Sequence, residues 1–134
     1  MLWKEQTDGT VSVQVHRLRQ YFSEGTSLDS DAQGVPAEFR DATWTMRNSA
    51  GYGWRTPGGT FDDETLGALA DSGEQRLELA SPGLLGVVRE GVSGVQKLKG
   101  LILVEDAAGL PAAVHLGSRE SRHTKHRPQL VVEY

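Results

Sequence analysis

The chain of 134 residues contains no cysteine. This absence excludes disulfide bonds, thiolate catalysis and zinc sites with cysteine ligands. No apolar run approaches the roughly 20 residues that a membrane-spanning helix requires. Basic residues are also in the minority, with 14 Lys and Arg against 18 Asp and Glu. Because the phosphates of nucleic acids attract basic surfaces, this balance argues against nucleic acid as a partner.

Signatures of catalysis are missing too. The sequence has no Gly-x-Ser-x-Gly segment around a nucleophilic serine, and no glycine-rich loop that would hold a phosphate ahead of a helix. It has many carboxylates, but no pattern that would place two of them on opposite sides of a cleft. We therefore predict that the protein is not an enzyme.

The hydrophobic pattern favours short strands. In residues 10–17 valines alternate with polar side chains, which predicts a strand with one buried face and with His16 on the solvent side. The preceding Asp8-Gly9 pair suits a type I′ turn, in which both central residues take positive φ. We therefore predict a hairpin between a strand at residues 2–5 and the strand at residues 10–17.

One helix is predicted in the second half of the chain. Ser81 followed by Pro82 is a typical helix start, because serine caps the first turn and proline fits the first helical position. The apolar residues that follow lead to Gly91 or Gly94, either of which could end the helix.

Two further stretches predict strands near the C-terminus. Residues 101–104, Leu-Ile-Leu-Val, form an apolar run that suits a strand covered on both faces. Residues 129–134 alternate and predict a final strand. The pattern amounts to about seven short strands without strand–helix–strand alternation. We predict one domain over residues 1–134 with an all-β fold, an antiparallel β-sandwich or jelly roll with one short helix.

Residues 43–63 contain two of the three tryptophans, together with a tyrosine and four glycines. The glycines and Pro57 predict a loop without regular strand or helix through its middle. Large rings on such a loop either pack beneath it or face outward as a recognition surface. We expect Trp44 to be a core residue and Tyr52 to be the more exposed ring.

Sugar recognition requires a flat apolar surface for the sugar ring, and neighbouring groups that form hydrogen bonds with its hydroxyls. Asn48, Tyr52, Trp54 and Arg55 supply these groups within one loop, and we predict them as the ligand-binding residues. Arg55 or Arg47 would also suit the carboxylate of an acidic sugar, because the guanidinium can bind it through two donors.

Asp62 and Asp63 are candidate calcium ligands, because calcium prefers clustered carboxylate and carbonyl oxygens. The same acidic residues could instead precede one helical turn at residues 66–70, since negative charge stabilises a helix start. Calcium is the one cofactor that the sequence suggests.

The C-terminal region carries a resemblance to a known family. Residues 118–121 read Ser-Arg-Glu-Ser, and residues 127–134, after a basic spacer, read Arg-Pro-Gln-Leu-Val-Val-Glu-Tyr. This order resembles the end of the DNRLRE-domain family, which is similar to the alginate-associated carbohydrate-binding modules. Further matches to the family pattern lie at residues 13–18, 42–44, 54 with 58–59, and 100–103.

The resemblance implies a non-catalytic carbohydrate-binding module of an exported or cell-surface protein, with polysaccharides, acidic ones included, as ligands. The strands that open such a domain are missing ahead of Leu2, so we expect the C-terminal part of an N-terminally truncated domain. The missing strands would come from the same parent chain, or the open edge would favour a homodimer. The alternative function is a structural or adhesion spacer domain of a surface protein.

The charged residues in the corner between residues 118 and 127 allow two interpretations. Glu120 is close enough in sequence to Arg119 or Arg127 to form an ion pair that ties this corner to the final strand. The other interpretation is that Arg119 or Glu120 contacts a ligand.

Overall fold

The computed structural model describes residues 1–8, 12–27, 35–70, 75–105 and 113–132. Within these residues strands predominate, in antiparallel sheets with one α-helix, which confirms the prediction of a β-rich fold. The elements in chain order are β1 (Leu2–Asp8), β2 (Ser12–Leu18), β3 (Met46–Asn48), β4 (Tyr52–Gly53), β5 (Phe61–Ala70), β6 (Arg76–Leu77), α1 (Pro82–Ser93), β7 (Leu101–Glu105), β8 (Ala113–Leu116) and a 3-10 helix (Thr124–His126).

The strands form three sheets, with strand orders β6-β1-β8, β5-β2-β7 and β3-β4. Strand β1 is antiparallel to both of its neighbours, with Leu2 opposite Leu77 on β6 and Lys4 opposite Leu116 on β8. A register shift between Lys4 and Gln6 interrupts the pairing with β8.

The predicted hairpin between the first two strands is wrong. In the described pairings β1 pairs with β6 and β8, whereas β2 lies between β5 and β7. The turn residue Gly9 itself lies outside the described residues. The preference of Asp-Gly for a tight turn is local and weak, and pairing with distant strands buries more apolar surface than a two-stranded hairpin could.

The chain forms two compact units. Unit 1 comprises Met1–Val15, Thr65–Gly86 and Leu103–Tyr134. Unit 2 comprises His16–Glu64 and Val87–Ile102. The prediction of a single domain over residues 1–134 stays a prediction.

The core of unit 1 draws side chains from both three-stranded sheets. Its buried members are Val13, Val15, Leu69 and Leu77, and partly buried side chains pack against them: Leu2, Leu79, Val114 and Leu116. The burial of the alternating valines on β2 confirms the period of two that the sequence displays.

His16 is buried, with 4% of its surface exposed, so the expectation of a solvent-facing side chain is wrong. Its ring centre lies 4.9 Å from that of Phe61, and Nδ1 lies 2.9 Å from the carbonyl oxygen of Asp62. Since a carbonyl oxygen only accepts, Nδ1 carries the proton of this hydrogen bond. The alternation ends here because β2 is buried at every position from Val15 to Leu18.

The helix begins as the sequence predicts. The Oγ atom of Ser81 accepts a hydrogen bond from the backbone N–H of Leu84, at 3.1 Å, and so caps the first turn. The same hydroxyl donates to the carbonyl oxygen of Leu66, which ties the helix start to β5. The helix ends at Ser93, and Gly94 follows it with a φ of 75°. Of the two predicted glycines, Gly94 therefore ends the helix.

Strand β5 replaces the helical turn that the acidic residues could have started. It runs through Phe61–Ala70 and buries Leu66 and Leu69. Because it extends beside β2, its backbone hydrogen bonds go to a neighbouring strand and not to a helical turn.

Strand β7 was expected to be covered on both faces, and this is wrong. It lies at one end of its sheet's strand order, and its side chains alternate between exposed and half-buried. Leu101 and Leu103 are on the exposed positions. The apolar run at residues 101–104 therefore belongs to a strand with only one covered face.

The C-terminal residues differ from their prediction. Residues 129–132 form no strand, and residues 133–134 lie outside the described part of the chain. Gln129 nevertheless exchanges two backbone hydrogen bonds with Met1, at 3.0 and 2.9 Å. In the preceding corner Arg119 pairs with Glu120, with Nε 2.7 Å from Oε1. The ion pair of Glu120 with Arg119 therefore forms, but it joins neighbours within the corner and does not tie the corner to a final strand as predicted.

Candidate functional site

The glycine-rich segment of unit 2 folds into a short hairpin. Strands β3 and β4 place Asn48 opposite Tyr52, and the backbone N–H of Gly51 donates to the carbonyl of Asn48 at 3.3 Å to close the turn. The N–H of Trp54 extends the ladder by donating to the carbonyl of Thr45 at 3.1 Å. The prediction that this segment has no regular strand is therefore wrong for its first half.

Asp41 organises the backbone at the base of this hairpin. Its buried carboxylate accepts hydrogen bonds from the N–H groups of Thr26, at 2.9 Å, and Glu38, at 2.6 Å, and from the hydroxyl of Ser27. Its carbonyl oxygen accepts from the N–H of Ser49 at 2.9 Å, within the hairpin turn. One residue thus connects two loop segments, through its side chain, to the hairpin, through its backbone carbonyl.

These hydrogen bonds stabilise the ionised form of the Asp41 carboxylate. The hydroxyl of Ser27 and the N–H of Glu38 are the main causes that lower its pKa from 3.8 to about 2. Gly25 makes the arrangement possible, because a Cβ at this position would collide with the carboxylate.

Trp44 faces outward, and the expectation that it is a core residue is wrong. Its surface is 73% exposed. The six-membered ring lies against Gly58, where a Cβ would be 2.6 Å from Cη2, and the N–H of Gly58 donates to the carbonyl of Trp44 at 2.6 Å. The ring is therefore supported from beneath by backbone while most of its surface stays in solvent.

Tyr52 is exposed, at 58%, as predicted, but it is less exposed than Trp44 and is therefore not the most accessible ring of the loop. The guanidinium carbon of Arg47 lies 5.2 Å from its ring centre, which is within cation–π range. Nη1 of Arg47 donates to the carbonyl of Tyr21 at 3.1 Å. Its Nε is buried and has no hydrogen-bond partner among the described residues.

Two of the predicted ligand-binding residues use their polar groups within the hairpin. The side-chain oxygen of Asn48 accepts from the N–H of Ala50 at 2.8 Å. The indole N–H of half-buried Trp54 donates to the carbonyl of Thr43 at 3.0 Å, and its ring centre lies 6.5 Å from that of Phe22. These two side chains therefore maintain the hairpin.

Arg55, the fourth predicted ligand-binding residue, has an exposed side chain. Its position is set through the backbone, because its N–H donates to the side-chain oxygen of Gln20 at 3.0 Å. We use the name hairpin surface for the aromatic and basic side chains of this region, which are the exposed Trp44, Tyr52 and Arg55 and the half-buried Arg47.

The structure does not bring the two candidate calcium ligands together. Asp62 and Asp63 are successive residues of β5, so their side chains point to opposite faces of the strand. Asp62 is half-buried and pairs with Arg19, whereas Asp63 is exposed. Within the described part of the chain, no three acidic or histidine side chains are grouped closely enough to hold a metal ion.

The residues that sequence reasoning missed are Trp44 as an exposed ring and Asp41 as the organiser of the loops. An aspartate in a polar loop carries no pattern that distinguishes a buried hydrogen-bond acceptor from a solvated side chain. For Trp44 the supporting glycine is Gly58, which lies fourteen residues along the chain, so no pattern around Trp44 predicts that its ring lies on the backbone.

No helix in the described ranges combines the length and apolar character needed to cross a bilayer. No protein-family model matches the chain, and no curated protein or solved structure is significantly similar to it.

Proposed function

We propose that this protein is a non-catalytic carbohydrate-binding module and that the hairpin surface is its binding site. The apolar face of a sugar ring packs on aromatic rings, and this burial supplies the favourable free energy. The hydroxyls at the edge of the sugar need donors and acceptors, because an unpaired polar group at a contact is costly. The hairpin surface combines both kinds of group.

The observation that carries the proposal is the exposure of two large rings within nine residues of sequence, from Trp44 to Tyr52. Each ring is held in place by its neighbours, Trp44 by Gly58 and Tyr52 by the Arg47 guanidinium. Rings that are fixed before a ligand arrives lose little conformational entropy on binding. Exposed aromatic side chains so arranged are typical of binding surfaces.

The basic side chains favour an acidic glycan as the ligand. Arg47 lies beside the Tyr52 ring, and the Arg55 side chain is exposed. Planar guanidinium groups bind carboxylates through two parallel hydrogen bonds. A uronic acid residue would therefore find a ring to stack on and a donor pair for its carboxylate.

The scaffold that we propose for this site is an antiparallel β-sandwich of the kind that the C-terminal sequence resembles. Support comes from unit 1, in which side chains of two separate sheets share one core. An exported or cell-surface location follows from this proposal, since polysaccharides of this kind are extracellular.

Affinity electrophoresis through gels that contain neutral or uronic-acid polysaccharides tests the proposal. We expect an acidic polysaccharide to retard the protein. Trp44→Ala and Tyr52→Ala should each weaken binding at least about tenfold, or about 1.4 kcal/mol. Arg55→Gln should weaken binding to acidic polysaccharides more than to neutral ones.

Phe39→Ala is the matched control, because Phe39 is also an exposed ring beside an arginine, with Arg40 5.5 Å from its ring centre. It lies outside the hairpin, so its loss should leave retardation unchanged. Equal effects of all three ring substitutions would indicate non-specific adsorption. Absence of retardation by every glycan tested would refute the proposal.

The second candidate function is a structural or adhesion spacer domain, which requires no glycan. The internal hydrogen bonds of Asn48 and Trp54 favour it, since both side chains serve the hairpin itself. If substitutions in the hairpin surface change binding to no glycan, the spacer or adhesion function is the better explanation.

A further inference from the structure

Unit 1 contains a cavity of about 180 Å³ whose wall is rich in basic side chains. Three sequence regions that are distant along the chain build it, and its lining residues are Met1, Leu2, Arg76, Lys125, Arg127 and Gln129. Among these described lining residues three have cationic side chains, and none carries a carboxylate.

Backbone pairing holds the three regions of this basic cavity in contact. Met1 and Gln129 exchange two hydrogen bonds, with the Met1 nitrogen 2.9 Å from the Gln129 carbonyl and the Gln129 nitrogen 3.0 Å from the Met1 carbonyl. Arg76 pairs with Trp3 along β1 and β6, which places it beside the same strand end. The wall is thus fixed by regular pairing and does not depend on the basic side chains themselves.

The two arginines retain capacity to bind a ligand. Nε of Arg127 donates to the carbonyl of Ser121 at 3.0 Å, which orients the guanidinium while Nη1 and Nη2 stay available. Arg76 contacts Glu78 through Nη2 at 2.5 Å, but both side chains are more than half exposed, so this pair is weak and exchangeable. An anion in the basic cavity could therefore recruit both guanidinium groups.

We propose that the basic cavity binds a small dianionic oxyanion, namely free phosphate, a phosphate monoester or free sulfate. Two guanidinium groups compensate two negative charges and present donors to several oxygens, and Lys125 lies in the same wall. The volume lies below the roughly 300–1,000 Å³ of pockets for drug-sized ligands, which favours a small anion. This site lies in unit 1 and is independent of the hairpin surface in unit 2.

Titration of the whole chain by ¹H–¹⁵N NMR tests the assignment. Inorganic phosphate, sulfate, glycerol phosphate and acetate are added in separate arms at constant ionic strength. We expect saturable shifts of the amides of Arg76, Lys125 and Gln129 with the dianions, and at least tenfold weaker binding of acetate. Tighter binding of glycerol phosphate than of phosphate would identify a monoester as the ligand, and equal affinities would identify the free ion.

Arg127→Gln should weaken phosphate binding at least tenfold while leaving the spectrum outside unit 1 unchanged. Arg122→Gln is the matched control, because Arg122 is exposed, lies five residues away and does not line the basic cavity. Its affinity for phosphate should equal that of the wild-type protein. The proposal would be overturned by shifts that do not saturate, or by equal shifts with acetate at the same concentration. It would also be overturned if both variants lost the shifts equally.

Discussion

The ring of Trp44 lies on the backbone of Gly58, so close that a single added carbon at Gly58 would be 2.6 Å from Cη2. Gly58 also has a φ of 86°, which residues with a Cβ rarely adopt. Gly58→Ala should therefore displace the ring and destabilise the fold by about 2–3 kcal/mol, the sum of backbone strain and collision. Urea unfolding followed by tryptophan fluorescence measures both effects.

Gly94→Ala separates the two contributions to this cost. Gly94 has a similar φ of 75°, but a Cβ there meets nothing within 4 Å. Gly94→Ala should lower the free energy of unfolding by only about 1 kcal/mol, because it strains the backbone without causing a collision. If Gly58→Ala and Gly94→Ala lose the same stability, displacement of the Trp44 ring has no energetic cost.

Because the pKa of Asp41 is lowered in the folded protein, we expect the protein to lose stability in acid. Its pKa in the folded protein is lowered to about 2 from an ordinary value of 3.8. As the pH falls, the carboxyl of Asp41 therefore binds a proton in the unfolded state before it does so in the folded state. The stabilisation is complete above about pH 4 and disappears as the pH falls through about 2. Urea unfolding between pH 2 and pH 5 should show stability falling with decreasing pH across this window.

Asp41→Asn is the control for this dependence, since an amide does not titrate. The variant should be less stable at pH 7, because the amide nitrogen cannot accept from the hydroxyl of Ser27 or the N–H of Glu38. Its stability should also fall less steeply between pH 4 and pH 2. An unchanged pH dependence would assign the acid sensitivity to other carboxylates.

Arg17 anchors the second half of the helix through Glu90, with Nη1 2.7 Å from Oε2. The Arg17 side chain is 9% exposed and that of Glu90 is 44% exposed. Glu90→Gln should cost about 1–2 kcal/mol, because it leaves a buried guanidinium without its counter-charge while solvent still reaches the neutralised partner. Chemical denaturation gives this value directly.

The ion pair of Arg119 with Glu120 provides the comparison. Both side chains are more than half exposed, at 71% and 53%. Glu120→Gln should change stability by less than about 0.5 kcal/mol. A larger effect for Glu120 than for Glu90 would contradict the importance that we give to the buried guanidinium.

Gly117 precedes the turn that carries Lys125. A Cβ on this buried glycine would lie well inside the contact distance of the His126 carbonyl oxygen, a backbone atom that cannot rotate away. Gly117→Ala should destabilise the protein by about 1–3 kcal/mol. The same substitution at Gly86, where a helical Cβ meets nothing within 4 Å, should stabilise it by about 0.5–1 kcal/mol. Thermal unfolding of both variants checks the opposite signs.

Several local features of the fold were predictable from the sequence. Ser81, Pro82 and Gly94 act within one turn of their own positions, so the helix boundaries follow from neighbouring residues. The valines at 13 and 15 reveal which face of β2 is buried, because the strand period is two. The exposed Tyr52 also agrees with its prediction.

Other features depend on partners that are far away along the chain. The burial of His16 is caused by Phe61 and Asp62, and the exposure of Trp44 depends on Gly58 occupying the space beneath its ring. The missing hairpin of β1 and β2 is a further case, because each strand pairs with strands that come much later. No local pattern contains this information.

Local residue patterns are enough to predict that this protein is rich in short strands, lacks cysteine chemistry and has one capped helix, because composition, period and caps act over a few residues. Tertiary structure alone decided which strands pair, which rings face solvent and which basic side chains converge on one cavity. The physical reason is that burial and pairing free energies are gained between distant segments and exceed local preferences wherever the two conflict.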